Sequence, residues 1–384
     1  MAVRRPVVTP MALTSVAHQL DLAVDGEIMV SGITHDSREV THGDIYVAVP
    51  GMKNHGIEFL AQAIEHGAVA VASDAHGVEI AQNHGLPTVL LNDPRFDMAR
   101  LAQLIFGTPD RDLTVIGVTG TNGKTTVASM IRHIVRSAHH RTGMIGTLGA
   151  FADDEHLAGL RTTPESTDLY ATLGYMRELG ISHVVMEVSS HGLELDRVAG
   201  LDFDSAIFTN LSQDHLDFHH TMDNYFAAKT KLFSMSKSAV INTDDEFGRT
   251  LLELIPAGQP VVTCGATGDI QASAVRSTID GHSIFDINSA SGSFHVELPM
   301  LGDFNVMNAV CAFASAVQVG IDPEVAAQGL NSFPGVPGRC ERVTPSGQAL
   351  AIVDYAHTPD AVEKILQQLQ VATTGKLICV IGCG

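Results

Sequence analysis

The chain has 384 residues, with 23 basic against 43 acidic side chains and a formal charge of −20; at about 100–200 residues per domain this is room for two to four domains. A hydrophobic share of 45% excludes a disordered chain, and the acidic balance excludes broad contact with nucleic acid or an anionic membrane, which both reward a basic surface. No stretch approaches the roughly 18 uninterrupted apolar residues of a spanning helix, and Pro6 and Pro10 break the apolar start behind Arg4-Arg5 that a secretory leader would need.

Taken in order, residues 43–51 (GDIYVAVPG) read as a strand, 57–66 as a helix, 68–73 and 87–91 as strands, and 95–106 as a helix leading to the linker Gly107-Thr108-Pro109. Beyond it, the apolar runs 113–119, 183–189, 205–210 and 238–242 alternate with helical patterns, which predicts a mostly parallel sheet covered on both faces. Residues 268–300 alternate instead and read as antiparallel strands on one edge. A second dense run of glycine and proline, 333–338, precedes a strand at 350–354, a helix at about 359–371 and a strand at 377–381. The expected division is 1–107, 108–336 and 337–384, the last too short to bury a core of its own. Cys264, Cys311, Cys340, Cys379 and Cys383 are too few and scattered for a disulfide frame and read as buried, reduced thiols.

The chemistry concentrates after the strand Val115–Thr119. Gly120-Thr121-Asn122-Gly123-Lys124-Thr125-Thr126 is a glycine turn opening a helix, so its backbone N–H groups and the helix N-terminus form an anion cradle. Lys124 can reach outer phosphates and the Thr125 hydroxyl can ligate Mg²⁺. The strict phosphate-loop pattern wants glycine where Val118 stands. Glu187 sits near the carboxyl end of an apolar strand, where open α/β sheets place their ligands; Mg²⁺ or a salt bridge would each serve as its partner. The loop 208–220 is dense in histidine and aspartate without the spacing of a zinc site, so His215 reads either as exposed or as an imidazole joining oxygen ligands. Lys229 lies in a helical run, where a lysine is ordinarily solvated, and its spacing does not single it out.

Together these segments resemble the Mur ligases of peptidoglycan synthesis, closest to the MurE branch. The matching stretches are T-H-D-S-R (34–38), T-G-T-N-G-K-T-T (119–126), T-T-P-E-S (162–166), M-E-V-S-S-H-G-L (186–193), T-N-L-S-Q-D-H-L-D-F-H (209–219), A-A-K (227–229), G-x-F-N-V-x-N (302–308), P-G-R-x-E (337–341) and D-Y-A-H-T-P-D (354–360). The resemblance implies an α/β, three-domain architecture: an N-terminal UDP-substrate domain, a central ATP-binding domain with a phosphate-loop parallel sheet, and a Rossmann-like third domain that is incomplete here. It implies an ADP-forming ligase. ATP phosphorylates the γ-carboxylate of UDP-N-acetylmuramoyl-L-alanyl-D-glutamate, and a diamino acid, meso-diaminopimelate or L-lysine, attacks the acyl phosphate.

The family's roles carry over residue by residue. Gly120 to Thr126, Asn305, Arg339 and Asp354 would bind ATP. Thr125, Glu187, His215 and Lys229, the last as a carbamate formed with CO₂, would hold two Mg²⁺ ions, with Lys124, Lys229 and His215 catalytic. Ser37, Met52, Lys53 and Asn54 would take the UDP end, and Thr162, Thr163, Ser189 and Arg197 the muramoyl-peptide part. Arg161 stands where some relatives carry Asn, and Leu195 where some carry Gln. The expected protein is a cytoplasmic monomer without nucleic-acid or membrane partners. The segment that separates diaminopimelate from lysine users is expected beyond residue 384, and with it most of the ligation activity. A non-catalytic substrate-binding chain is therefore a second expectation. Folylpolyglutamate synthase, on the same fold, is a third, disfavoured by T-H-D-S-R and the separate first domain.

Overall fold

The computed structural model describes residues 3–51, 53–159, 161–278, 281–344, 349–357, 359–373 and 375–382. These divide into two compact units, one of residues 1–114, 145–182 and 189–202, the other of 115–144, 183–188 and 203–384.

The first unit is built on a five-stranded sheet in the order Ala23–Asp25, Thr88–Leu90, Ala70–Ser73, Asp44–Ala48, Gly32–Thr34. Only Ala23–Asp25 runs antiparallel to its neighbour. The apolar runs Asp44–Ala48 and Ala70–Ser73 are buried along their whole length, as strands covered on both faces must be. Asp74 and Asp93 cap the following helices, Ala75–Asn83 and Pro94–Ile105, by accepting from Gly77 N and Phe96 N, and Pro94 takes the first helical position, where its missing N–H costs nothing. The helix expected at 57–66 begins as a tight turn, Gly56–Phe59, and becomes α-helical only over Leu60–His66, where Gly67 at φ 107° ends it. The helix Ser166–Glu178 buries Leu169, Tyr170, Leu173 and Met176 and packs on Pro94–Ile105.

The second unit carries the predicted parallel sheet. Six of the sheet's eight strands lie in the order Thr142–Gly146, His183–Glu187, Thr114–Thr119, Ser205–Phe208, Ala239–Asn242, Val261–Cys264, and Gly149–Ala152 and then Glu155–Ala158 follow beyond Thr142–Gly146. Ser205–Phe208 runs parallel to both its neighbours, and Ala239–Asn242 runs parallel to Val261–Cys264. The helices Lys124–Ser137, Met222–Ser234, Glu246–Leu254, Asp303–Gln318 and Pro323–Asn331 belong to this unit. The sheet has the strand order 2-1-3 at its centre, so the carboxyl ends of Thr114–Thr119, His183–Glu187 and Ser205–Phe208 open side by side. That edge is where Gly120, Glu187 and Thr209 emerge.

Three expectations are corrected. The alternating stretch 268–300 forms a three-stranded antiparallel sheet of its own, Gln271–Ser277, Ser283–Ser289 and Gly292–Leu298, rather than an edge of the main sheet. Alternation requires one solvated face and does not say which sheet the strand joins. Residues 377–381 do not form a strand: Ile378 and Val380 are 80% and 93% exposed. An apolar run needs a partner backbone to become a strand, and none of the described residues supplies one here. Cys379 is consequently exposed, while Cys264, Cys311 and Cys340 are buried free thiols as expected; Cys383 lies outside the described residues. The strand expected at 350–354 is reduced to Ile352–Val353, paired with Glu341–Arg342, and the helix is Pro359–Ala372. Among the described residues no helix is long and apolar enough to cross a membrane.

Gly117 lets the central strand meet its cover. A Cβ there would lie 2.8 Å from the Phe203 ring and 3.2 Å from Leu232. Gly117→Ala is expected to lower unfolding stability by about 1–3 kcal/mol through overpacking, read from the denaturant midpoint at unchanged slope. A second expectation concerns pH. Burial, with the His140 ring 4.6 Å away, holds His183 down to about 4 from 6.5. The unfolded chain then binds the proton more readily. The stability contributed is fully present above pH 6.5 and is lost as pH falls toward 4. His183→Gln should flatten that part of a plot of melting temperature against pH.

Candidate active site

In the second unit the glycine turn is pinned by the segment after the next strand. Thr121 N donates to Asn210 O (2.9 Å), Asn122 N to Asn210 Oδ1 (3.0 Å), and Thr209 Oγ1 to Asn122 O (2.6 Å). Thr121 Oγ1 accepts from Ser212 N (3.0 Å) and lies 3.1 Å from the Tyr225 hydroxyl. Gly120 has φ 143° and a Cβ there would collide with Thr209 Oγ1; Gly123 has φ 88° and a Cβ would sit 2.5 Å from Asn308 Oδ1. Only glycine fits either place without strain.

Two lysines end on this turn. Lys124 Nζ donates to Gly120 O (2.9 Å) and Thr121 O (2.8 Å), and Lys229 Nζ donates to the same Gly120 O (2.9 Å). Lys229 is 1% exposed, against the solvated position that base rates favour, with its Nζ 4.5 Å from the centre of the Tyr225 ring. Burial, then the charge of Lys124, pushes the Lys229 ammonium well below its ordinary range. Burial also lowers Lys124, against the pull of Glu187.

Beside them, Thr125 Oγ1 donates to Glu187 Oε2 (3.0 Å) and accepts from Arg339 Nη2 (3.3 Å). The Arg339 guanidinium stacks on Tyr355 at 4.4 Å, and Asp354 Oδ2 accepts from Cys340 N (2.7 Å). His215, at φ 52°, is partly exposed with Nε2 3.5 Å from Asp214 Oδ2; burial holds it below the ordinary imidazole range despite Asp214. Asn305 is buried, donates to Leu301 O (2.7 Å) and accepts from Asn308 Nδ2 (3.2 Å). A cavity of about 410 Å³ is lined by Asn122, Gly123, Thr126, Asn305, Arg339 and Asp354 among the sequence candidates. Asn210, Asn308 and Tyr355 line it too and were not singled out. Asn308 follows Asn305 by one helical turn, a spacing that could have marked it.

The donors fit a nucleotide with a hard cation. Glycines whose side chains would fill the turn leave room for phosphate, and a buried carboxylate beside a threonine hydroxyl matches Mg²⁺ rather than a soft metal. Among the described residues no group of three or more His, Cys, Asp or Glu side chains is placed to hold a metal ion.

The first unit gathers the candidates for the muramoyl-peptide part. Thr163 Oγ1 accepts from Ser189 N (2.9 Å) and lies 3.0 Å from Ser189 Oγ, which in turn accepts from Gly192 N (3.1 Å). Arg197 Nη1 donates to Thr163 O (3.1 Å) and Nη2 pairs with Glu165 Oε1 (2.8 Å). Glu165 also takes Arg95 (3.0 Å) and Arg161 (3.3 Å). Thr162 Oγ1 lies 3.1 Å from Thr147 Oγ1. Ser37 Oγ donates to Gln62 Oε1 (2.7 Å), while its motif neighbour His35 bonds Thr167 Oγ1 (2.7 Å). Lys53 and Asn54 are exposed on a turn closed by Gly51 N to Asn54 O (3.0 Å); Met52 lies outside the described residues. Glu165 and Arg95, central to this cluster, were not singled out.

Comparison with known proteins agrees with this geometry. The sequence matches the Mur ligase family, catalytic domain, over residues 29–93, the Mur ligase middle domain over 118–316 and the Mur ligase, glutamate ligase domain, over 338–384. It is 46% identical to the UDP-N-acetylmuramoyl-L-alanyl-D-glutamate–2,6-diaminopimelate ligase of Streptomyces avermitilis, covering 98% of this chain and 75% of that protein. It is 42% identical to the ligase of the same name from Corynebacterium glutamicum, covering 94% and 71%. A solved structure of a UDP-N-acetylmuramoyl-L-alanyl-D-glutamate–2,6-diaminopimelate ligase superposes with a TM-score of 0.81 at 30% identity, over 94% of this chain and 74% of that one. Mycobacterium tuberculosis folylpolyglutamate synthase, at 19% identity and a TM-score of 0.61, shares the fold alone. The chain belongs to the Mur ligase family.

Proposed function

We propose that this chain is an ATP-dependent, ADP-forming ligase that joins 2,6-diaminopimelate to UDP-N-acetylmuramoyl-L-alanyl-D-glutamate. The observation that carries the reading is the pair of lysines on the Gly120 carbonyl, Lys229 buried and Lys124 half-buried, beside Glu187 and Thr125. Two anions, a carboxylate and a triphosphate, must be brought together, and a site built for that must hold surplus positive charge out of water. The names of the relatives supply the substrates and favour diaminopimelate over lysine. The division at 107 and 336 belongs to the same proposal.

In this reading the turn Gly120–Gly123 and the N-terminus of helix Lys124–Ser137 bind the triphosphate. Lys124 leaves the carbonyls of Gly120 and Thr121 for the outer phosphates, where it offsets the charge that develops on transfer. Asn305, Arg339 and Asp354 hold the rest of the nucleotide, with Tyr355 supporting the Arg339 plane. Thr163, Ser189 and Arg197 hold the peptide, and its carboxylate attacks the γ-phosphorus. The ADP oxygen leaves and an acyl phosphate forms. The diaminopimelate amine then adds to the acyl carbon, loses a proton and expels phosphate. Thr125 and Glu187 would hold one Mg²⁺, and His215 with carbamylated Lys229 a second. Magnesium, when bound, neutralises phosphate charge and polarises the transferring group. A buried lysine whose ammonium is disfavoured is suited to adding CO₂: the ammonium gives up one proton, the neutral Nζ bonds the carbon and a second proton departs, so that a cation becomes an anion facing Lys124.

The ADP release that this chain supports is expected to require both the UDP-linked dipeptide and diaminopimelate, and Lys124→Ala to lower that rate by about 10²-fold or more, the scale of removing one transition-state charge contact. ADP formation indifferent to either substrate would overturn the reading. For Lys229, intact mass and carbon-13 bicarbonate labelling should reveal one added CO₂ that Lys229→Ala abolishes; a lysine that stays unmodified in active enzyme would sink that assignment.

A further inference from the structure

Arg197 is 8% exposed, yet one of its donors is unspent. Nη1 goes to Thr163 O and Nη2 to Glu165, while the buried Nε has no hydrogen-bond partner among the described residues. A buried N–H of a charged group is held without an acceptor only against a penalty, which a bound ligand can remove. What holds it there is Glu165. Its Oε1 takes Arg197 (2.8 Å) and Arg161 (3.3 Å), and its Oε2 takes Arg95 (3.0 Å). Burial raises this carboxyl, but Arg197 and then Arg95 outweigh it and keep it below its ordinary range. Burial also lowers the Arg197 guanidinium, which starts so high that it stays charged. Burial pushes Asp168, on the same helix, upward, which weakens its hold on a negative charge. One carboxylate thus faces three guanidiniums. It satisfies the geometry of each without cancelling their summed charge.

We infer that Glu165 is a positioning residue. By taking the outer Nη of Arg197 it turns the guanidinium so that Nε–H, and the surplus charge of Arg95 and Arg161, remain for the carboxylate-bearing glutamyl end of the peptide substrate. This rests on the functional reading above, in which Arg197 holds the muramoyl-peptide part. Only a carboxylate in Glu165's place can bind two guanidiniums on one side and a third on the other.

The test is calorimetric binding of UDP-N-acetylmuramoyl-L-alanyl-D-glutamate and of the shorter UDP-N-acetylmuramoyl-L-alanine to wild type, Glu165→Gln and Arg95→Gln, with MgATP binding alongside. Glu165→Gln keeps size but loses the charge, and should weaken the dipeptide substrate about tenfold or more, leaving the shorter ligand and MgATP unchanged. Arg95→Gln should weaken the dipeptide in the same direction by less. No dipeptide binding by wild type overturns the functional reading itself. Equal dipeptide affinity in wild type and Glu165→Gln overturns the positioning role alone. Equal weakening of both ligands and MgATP also overturns it, since that marks a merely structural residue. Should Glu165→Gln fail to fold, Arg95→Gln decides: a selective loss of the dipeptide supports the inference and an unchanged affinity overturns it.

Discussion

The carbonyl oxygen of Gly120 accepts from two ammonium groups, the half-buried Lys124 and the buried Lys229, each at 2.9 Å. Like charges do not converge on one dipole in a low-dielectric place unless something negative is meant to come between them. That constraint orders the second unit. The parallel sheet exists, for this purpose, to bring the ends of three neighbouring strands to one edge, so that Gly120, Glu187 and Thr209 stand within reach. The 209–212 segment then locks the turn that offers the carbonyl. Remove the lock and the lysines lose the fixed point that sets their separation.

The electrostatic economy of the chain is local. A formal charge of −20 would repel a nucleotide sugar and a triphosphate alike. Each unit answers with clustered cations: two lysines on a backbone oxygen in one, three arginines on a single carboxylate in the other. The anchors differ because the tasks differ. A backbone carbonyl is a weak partner, so Lys124 can leave it for a phosphate. A carboxylate is a strong one, so Arg197 stays fixed and presents geometry.

How much of this was legible in the sequence follows the range of each interaction. Lys124 and Thr125 were readable because a phosphate turn is local: glycine, lysine and hydroxyl within a few residues, between an apolar strand and a helix. Lys229 was not, because its bond to Gly120 depends on a residue 109 positions away; only family resemblance marked it. Glu165 stood inside a matched motif without a role, since three guanidiniums from 95, 161 and 197 meet it only after folding. The strand expected at 377–381 failed for the opposite reason. Its apolar pattern was clear, but pattern does not provide a neighbouring backbone. Residues 268–300 alternated as antiparallel strands do, and the alternation could not say that they pair with each other alone.

The contrast between Glu187 and Glu165 shows why residue type alone could not assign function. Both are buried carboxylates beside threonines and cations. Glu187 ends a strand, takes a hydroxyl from Thr125, and has Lys124 close enough to pull that lysine's charge upward. Its surroundings supply hard oxygen donors and leave a cation's worth of charge to be balanced when phosphates arrive. Glu165 precedes a helix and is enclosed by guanidiniums whose fork geometry uses both its oxygens. A metal there would have to displace arginines. In the proposed reading the same side chain thus serves as a metal ligand in one setting and an orienting group in the other. The number and shape of the cations that reach it decide which.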